Sequence, residues 1–281
     1  VDTTTDRPQR RLLHLHRHSE DGNVDLDGDP RVLGAPHPLS MVYGGGAVFG
    51  IAYGAGVAHG LAAAGIPVAT APALGTSAGS WVASAVALGV GYDDLDELEV
   101  PPLPNRRRGV LADIARRIFG DATHPLVSVS AVCVRTRRRH ILDGGRYPLA
   151  DLVAASSAVP GLLPPHRIDG RLYIDGGMWS ATSVDAAATA EHVIVVAPLA
   201  GPVLGPMGRT AGFLLDRELR AWRRRHPGHR ITLIRPNREI ARHAGRNPMS
   251  LFDADRARRV YPLAYEQGLR WGERIASDVA A

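Results

Sequence analysis

Between residues 39 and 88 the chain is written in short, uninterrupted apolar runs separated by glycine clusters. The runs 39–43 and 71–74 are each followed by glycines, at 44–50 and 75–79, and then by longer apolar stretches, 51–64 and 80–88. A strand covered on both faces reads as a continuous apolar run, and a glycine just past a helical stretch, here Gly65, ends the helix. The segment therefore predicts strand, glycine loop, helix, strand, sharp turn and helix, the order of a parallel α/β sheet.

After residue 92 the pattern is more ordinary. Residues 93–104 read as an acidic, proline-rich connection, and 126–134 and 140–142 as strands joined by the arginine-rich turn 135–139. A short helix is expected at 149–158, a hairpin at 167–174 turning on Asp169-Gly170, and a buried strand at 192–197. The stretch 209–225 sets Phe213, Leu219 and Trp222 near one helical face among arginines. Residues 231–234 form a last strand, and 253–277 a closing helix with Val260, Leu263, Ala264, Trp271 and Ile275 turned inward. Residues 1–36 show little periodicity and read as an N-terminal extension or irregular cap on a single domain, 37–281.

Charge sharpens this picture. Residues 32–92, 61 in a row, hold no Asp, Glu, Arg or Lys. Such a segment lies in a membrane or at the buried centre of a fold. Seven glycines within 44–60, with Pro67 and Pro72 beyond, leave no run of ~20 apolar residues, so the segment is core. All 33 cations are arginine, which excludes a P-loop lysine, a Schiff-base lysine and a serine–lysine dyad. A lone cysteine, Cys133 in an apolar run, reads as a buried thiol. The N-terminal residues carry no apolar signal core, so a cytoplasmic or peripheral membrane location is expected. The runs Arg106–Arg108, Arg137–Arg139 and Arg223–Arg225 read first as solvated surface and second as membrane contact; with 5% aromatic residues, nucleic acid is the least favoured partner.

Candidate chemistry falls inside the uncharged segment. Gly75-Thr76-Ser77-Ala78-Gly79 fits G-x-S-x-G, a strained turn between strand and helix that lifts the Ser77 hydroxyl clear of the backbone. Three glycines after the first strand, Gly44 to Gly46, expose backbone N–H groups that suit an anion. A dinucleotide loop wants an acidic residue ~20 positions on and a phosphate loop wants lysine. Both are missing, which leaves an oxyanion hole, with the amides of Gly45, Gly46 and Ala78 as donors. For the base, none of His192, His226, His229 and His243 occupies a distinctive loop, whereas Asp-Gly-Gly ends a predicted strand at Asp175 and again at Asp143.

Taken in order, G-G-G-A-V-F-G (44–50), G-T-S-A-G (75–79), A-S-S-A-V-P-G-L-L-P-P (155–165) and D-G-G (175–177) resemble the patatin-like phospholipase family. The resemblance implies a three-layer α/β/α sandwich with a mostly parallel central sheet. It also implies a Ser–Asp dyad of Ser77 as nucleophile and Asp175 as base, because the family's D-G-G closely follows the proline-rich block. Gly44, Gly75, Gly79, Gly176 and Gly177 then support the loops. Two departures stand out: Val48-Phe49 takes the place of the cation usual in the first block and adds a residue, and Thr182-Ser183 lie where asparagine-proline often follows D-G-G. The implied activity is acyl hydrolysis of lipid or other carboxylic esters. No cluster of His, Cys and carboxylates stands at ligand spacing, so no metal or cofactor is expected, and peripheral membrane contact is expected as a partner mode. An acyltransferase using the same acyl-enzyme, and a silent lipid-binding module, stay open at this point. Substrate-lining side chains are expected from 93–125 and 200–250.

Overall fold

The apolar runs take the centre of one nine-stranded sheet in the computed structural model, which describes residues 23–24, 37–97, 99–245 and 247–280. In chain order the elements are β1 (Asn23–Val24), β2 (His37–Tyr43), α1 (Ala47–Ala63), β3 (Ala73–Thr76), α2 (Ala78–Leu88), α3 (Tyr92–Asp96), α4 (Val110–Phe119), β4 (Val127–Cys133) and β5 (Arg139–Asp143). They continue as α5 (Leu149–Ser156), β6 (His166–Ile168), β7 (Arg171–Asp175), β8 (Ala190–Val196), α6 (Pro206–Arg225), β9 (Arg230–Ile234), α7 (Arg238–His243) and α8 (Ala254–Ala280). Strands β4, β3, β2, β8 and β9 run parallel, while β5, β1, β7 and β6 add antiparallel pairs around β4. Of the expected extension, Asn23 and Val24 pair with β5 at the sheet edge, and the rest of 1–36 lies outside the described residues.

Both sheet faces are covered, which is why the central strands read as unbroken apolar runs. In β2, Met41 and Tyr43 join one core cluster with α1 and α8, while Val42 joins the opposite cluster with Leu215, Leu219 and Trp222 of α6. Strand β8 repeats the division, with Ile194 and Val196 on one side and Val193 and Val195 on the other. The chain is thus an α/β/α sandwich on a mostly parallel sheet.

Two local readings need correction. Helix α1 starts at Ala47, not at residue 51: Gly46, at φ +156°, and Ala47, at φ +51°, make the turn, and the Gly50 N–H already reaches the Gly46 carbonyl at 2.7 Å. The connection after residue 92 contains helix α3, and α4 follows, an amphipathic helix burying Val110, Ile114 and Phe119.

Helix α1 is apolar all round because it is enclosed by the sheet on one side and α8 on the other. Small residues set that approach. A Cβ on Gly56 would come within 2.6 Å of the Tyr261 carbonyl and 2.8 Å of the Ala264 Cβ, and one on Gly60 would run into the Tyr265 carbonyl. Overpacking a close contact of this kind costs about 1–3 kcal/mol, and more where backbone must move. Gly60→Val is therefore expected to destabilise the fold by at least that amount. Thermal and denaturant melts check this, and a melting point equal to the parent's would contradict the seam.

Candidate active site

Strand β4 acts as a ruler for the site. On one side its residues 127–130 pair with β3, ending with Thr76 opposite Ser130. One residue further along, β7 takes over in the antiparallel sense, with Asp175 opposite Ala131. The chain turns out of β3 at Ser77, so the hydroxyl leaving one strand meets the carboxylate ending the other. Ser77 Oγ donates to Asp175 Oδ2 at 2.6 Å.

Backbone geometry makes the turn sharp. Ser77 sits at φ +52° and ψ −121°, a conformation that costs of order 1–3 kcal/mol for a residue with a side chain. The surroundings hold it there. The Ser77 N–H donates to Ser156 Oγ at 2.7 Å, and Ser156 in turn donates to the Ser130 carbonyl at 2.7 Å. The Ser77 carbonyl accepts from both the N–H and the hydroxyl of Ser80. Trp81 Nε1 donates to Ser157 Oγ at 3.1 Å, tying α2 to the end of α5. Ser156 and Ser157 were legible only as part of a motif block; nothing in that text shows that their hydroxyls brace the elbow.

The glycines fit this crowding. A Cβ on Gly79 would strike the Tyr43 carbonyl, one on Gly176 the Ser130 carbonyl, and one on Gly75 would lie 2.5 Å from Ser80 Cα. Gly44 packs on Thr182 and Gly45 on Ser77, with 3.0 Å and 3.3 Å left for a Cβ. Gly177 contributes its N–H to Asp175 Oδ1 at 2.6 Å.

Asp175 is 5% exposed, and among the described residues no charged side chain compensates it. Burial raises its pKa from 3.8 to about 6, against the opposing pull of the Ser77 and Gly177 hydrogen bonds. The second Asp-Gly-Gly differs: Asp143 is exposed, and its Oδ1 accepts from the Gly145 N–H at 2.8 Å, a tight-turn contact. Among the described histidines, His192 bonds Thr232 and His229 the Ala190 carbonyl, and none bonds Ser77.

The expected trio of anion donors is reduced. The Gly45 N–H is committed to the Ala181 carbonyl at 2.8 Å, so Gly45 spaces the loop but offers no donor. The amides of Gly46 and Ala78 carry no hydrogen bond among the described residues. Ala78 opens α2, whose N-terminus adds favourable field for a negative oxygen. Of the Val48-Phe49 pair that takes the place of the cation, Phe49 is buried and stacks on Tyr53. Arg139, expected as solvated surface, is instead 8% exposed at its side chain and forms a two-point ion pair with Asp185.

A cleft of about 120 Å³ opens beside Ser77 and Ala78, walled by Val48, Ile51, Trp81, Leu103, Leu111 and Ile114. Residues 93–125 supply much of this wall, with Phe252 just beyond the second expected segment. Among the described residues no helix is long and apolar enough to cross a membrane.

No curated protein matches the chain. A family model described as patatin-like phospholipase matches residues 41–188, more than half of the 281 residues and all four sequence blocks. The chain therefore belongs to the patatin-like phospholipase family, a family of lipid acyl hydrolases.

Proposed function

We propose that the chain is a serine esterase acting on lipid carboxylic esters through an acyl-enzyme on Ser77, with Asp175 as its only base. The 2.6 Å contact between a hydroxyl and a buried carboxylate carries the reading. Asp175 Oδ2 accepts the Ser77 proton as Oγ attacks the ester carbonyl carbon. The carbonyl oxygen, now negative, takes hydrogen bonds from the Gly46 and Ala78 amides. Collapse expels the alcohol oxygen, which recovers the proton from Asp175; a water, deprotonated by the same carboxylate, then attacks the acyl carbon, and Ser77 Oγ leaves and takes that proton back as the acid is released. The acyl chain lies along the apolar cleft of Val48, Trp81 and Ile114.

An exposed patch supports work at a lipid surface. Met178, Trp179, Phe213 and Leu214 are 61%, 51%, 64% and 46% exposed, and Arg209 and Arg217 flank Phe213 one helical turn away on either side. Clustered exposed apolar groups with arginines around them suit the boundary of an anionic bilayer.

Three outcomes follow. Ser77→Ala and Asp175→Asn each lower short-chain ester turnover by at least about a hundredfold in a chromogenic assay; full activity in either removes that residue from the mechanism. Because the base must be ionised, kcat/KM falls on the acid side with a midpoint near the Asp175 value of about 6, and a flat profile between pH 5 and 7 would argue for another base. Stability shows the opposite sign. A carboxyl with a raised folded pKa contributes stability at low pH that is lost as pH rises from about 4 to about 6. Asparagine can accept from Gly177 and donate to Ser77 without that charge. Asp175→Asn is thus expected to be more stable than the parent at pH 8, by up to about 3 kcal/mol at ~1.4 kcal/mol per pKa unit, with the gap closing below pH 4. Denaturant titration at the two pH values checks it.

A further inference from the structure

The position of Asp175 dictates where the alcohol half of the ester must sit. The expelled oxygen recovers its proton from this carboxylate, so the leaving alcohol lies on the carboxylate's side of Ser77. A second cavity, about 460 Å³ and separate from the apolar cleft, lies against residues that hold the two groups in place. It is lined by Gly45, which packs on Ser77, and by Gly177, whose N–H holds Asp175. Thr182, Leu214, Arg217 and Glu218 form other parts of its wall.

Its half-buried polar group is a carboxylate. Glu218 Oε2 accepts from Thr182 Oγ1 at 3.2 Å, and Ser180 bonds the same carboxyl. A carboxylate has about four acceptor positions, so capacity remains for a ligand donor. Burial raises the Glu218 pKa; the Ser180 hydrogen bond opposes this, the nearby Asp185 charge adds to it, and Thr182 and Arg139 oppose it. Asp185 itself is neutralised by Arg139. Arg217 also lines the cavity, but it is exposed, so Glu218 is the more buried charged group of the wall. The buried end therefore offers acceptors and negative charge, which favour hydroxyl donors and disfavour a phosphate.

We propose that this cavity is the alcohol-side subsite and that Glu218 accepts a hydrogen bond from a free hydroxyl of the leaving alcohol. The enzyme then prefers acyl esters of polyols, acylglycerols among them, to esters whose leaving alcohol bears a phosphate. The inference rests on the ester hydrolysis proposed above for what occupies the cavity.

The test pairs turnover with binding. With 1-octanoylglycerol and its 3-phosphate at equal acyl length, the parent should favour the glycerol ester in kcat/KM by about tenfold or more: the phosphate keeps the 2-hydroxyl but puts an anion where the 3-hydroxyl donates to Glu218, and one charge-assisted hydrogen bond is worth that much. Glu218→Gln should collapse this ratio, chiefly through KM. An unchanged ratio, a loss shared equally by both esters, or a parent preference for the phosphate would overturn the proposal. Leu214→Trp, on an exposed position of the cavity wall, should lower kcat/KM for octanoylglycerol relative to ethyl octanoate, and equal loss on both would also count against it. Calorimetry on Ser77→Ala with the ethers 1-O-octylglycerol and 1-O-octylglycerol 3-phosphate gives a reading that needs no turnover. Tighter binding of the uncharged ether, lost in the additional Glu218→Gln background, would support the subsite even if no ester were hydrolysed. Equal binding of the two ethers would remove it.

Discussion

One interaction organises the molecule: a hydrogen bond between a serine leaving one strand and a carboxylate ending another, both measured off β4. The strands bring Thr76 and Asp175 to neighbouring positions of β4 from segments 98 residues apart around the Ser77–Asp175 contact. Only one strand can occupy that side of β4 at a time, so β3 must stop where β7 begins. The elbow follows from this constraint. The chain has to leave the sheet within one residue, and the positive φ of Ser77 is the backbone's answer. The local cost is carried by the serines of the third motif block, which hold the Ser77 amide and the Trp81 ring nitrogen.

The lack of charge in residues 32–92 acquires a physical meaning at this site. Among the described residues no cation pairs with Asp175, and its raised pKa comes from desolvation. A salt-bridged carboxylate would be a poorer proton acceptor, since an adjacent guanidinium stabilises the ionised form. The same segment carries the Gly46 and Ala78 amides, without a hydrogen bond among the described residues, and an amide brings no counter-charge to compete with Asp175. Stability and basicity thus pull against each other at one residue.

Much of this was legible because the decisive signals are local. Strand–glycine–helix order, the G-x-S-x-G turn and the Asp-Gly-Gly after a strand depend on neighbours in sequence, and those elements lie where the pattern puts them. What escaped depends on distant partners. Gly45 reads as an anion donor until the Ala181 carbonyl is in place to take its N–H. Arg139 reads as one of a solvated run until Asp185 meets it from 46 residues away. The pattern sets the start of α1 too late because glycine usually interrupts helices; here Gly50, Gly56 and Gly60 allow close approach to neighbouring backbone and side chains.

The glycine seam between α1 and α8 also has a mechanical side. The Gly46 turn is continuous with the first turn of α1, and farther along that helix backbone rests on backbone of α8 at Gly60 and Gly268. No long, compliant side chain lies at those two crossings to absorb a displacement, and close-packed interiors pass small shifts on instead of damping them. The closing helix and the Gly44–Gly46 loop therefore form one stiff lever that ends against Ser77.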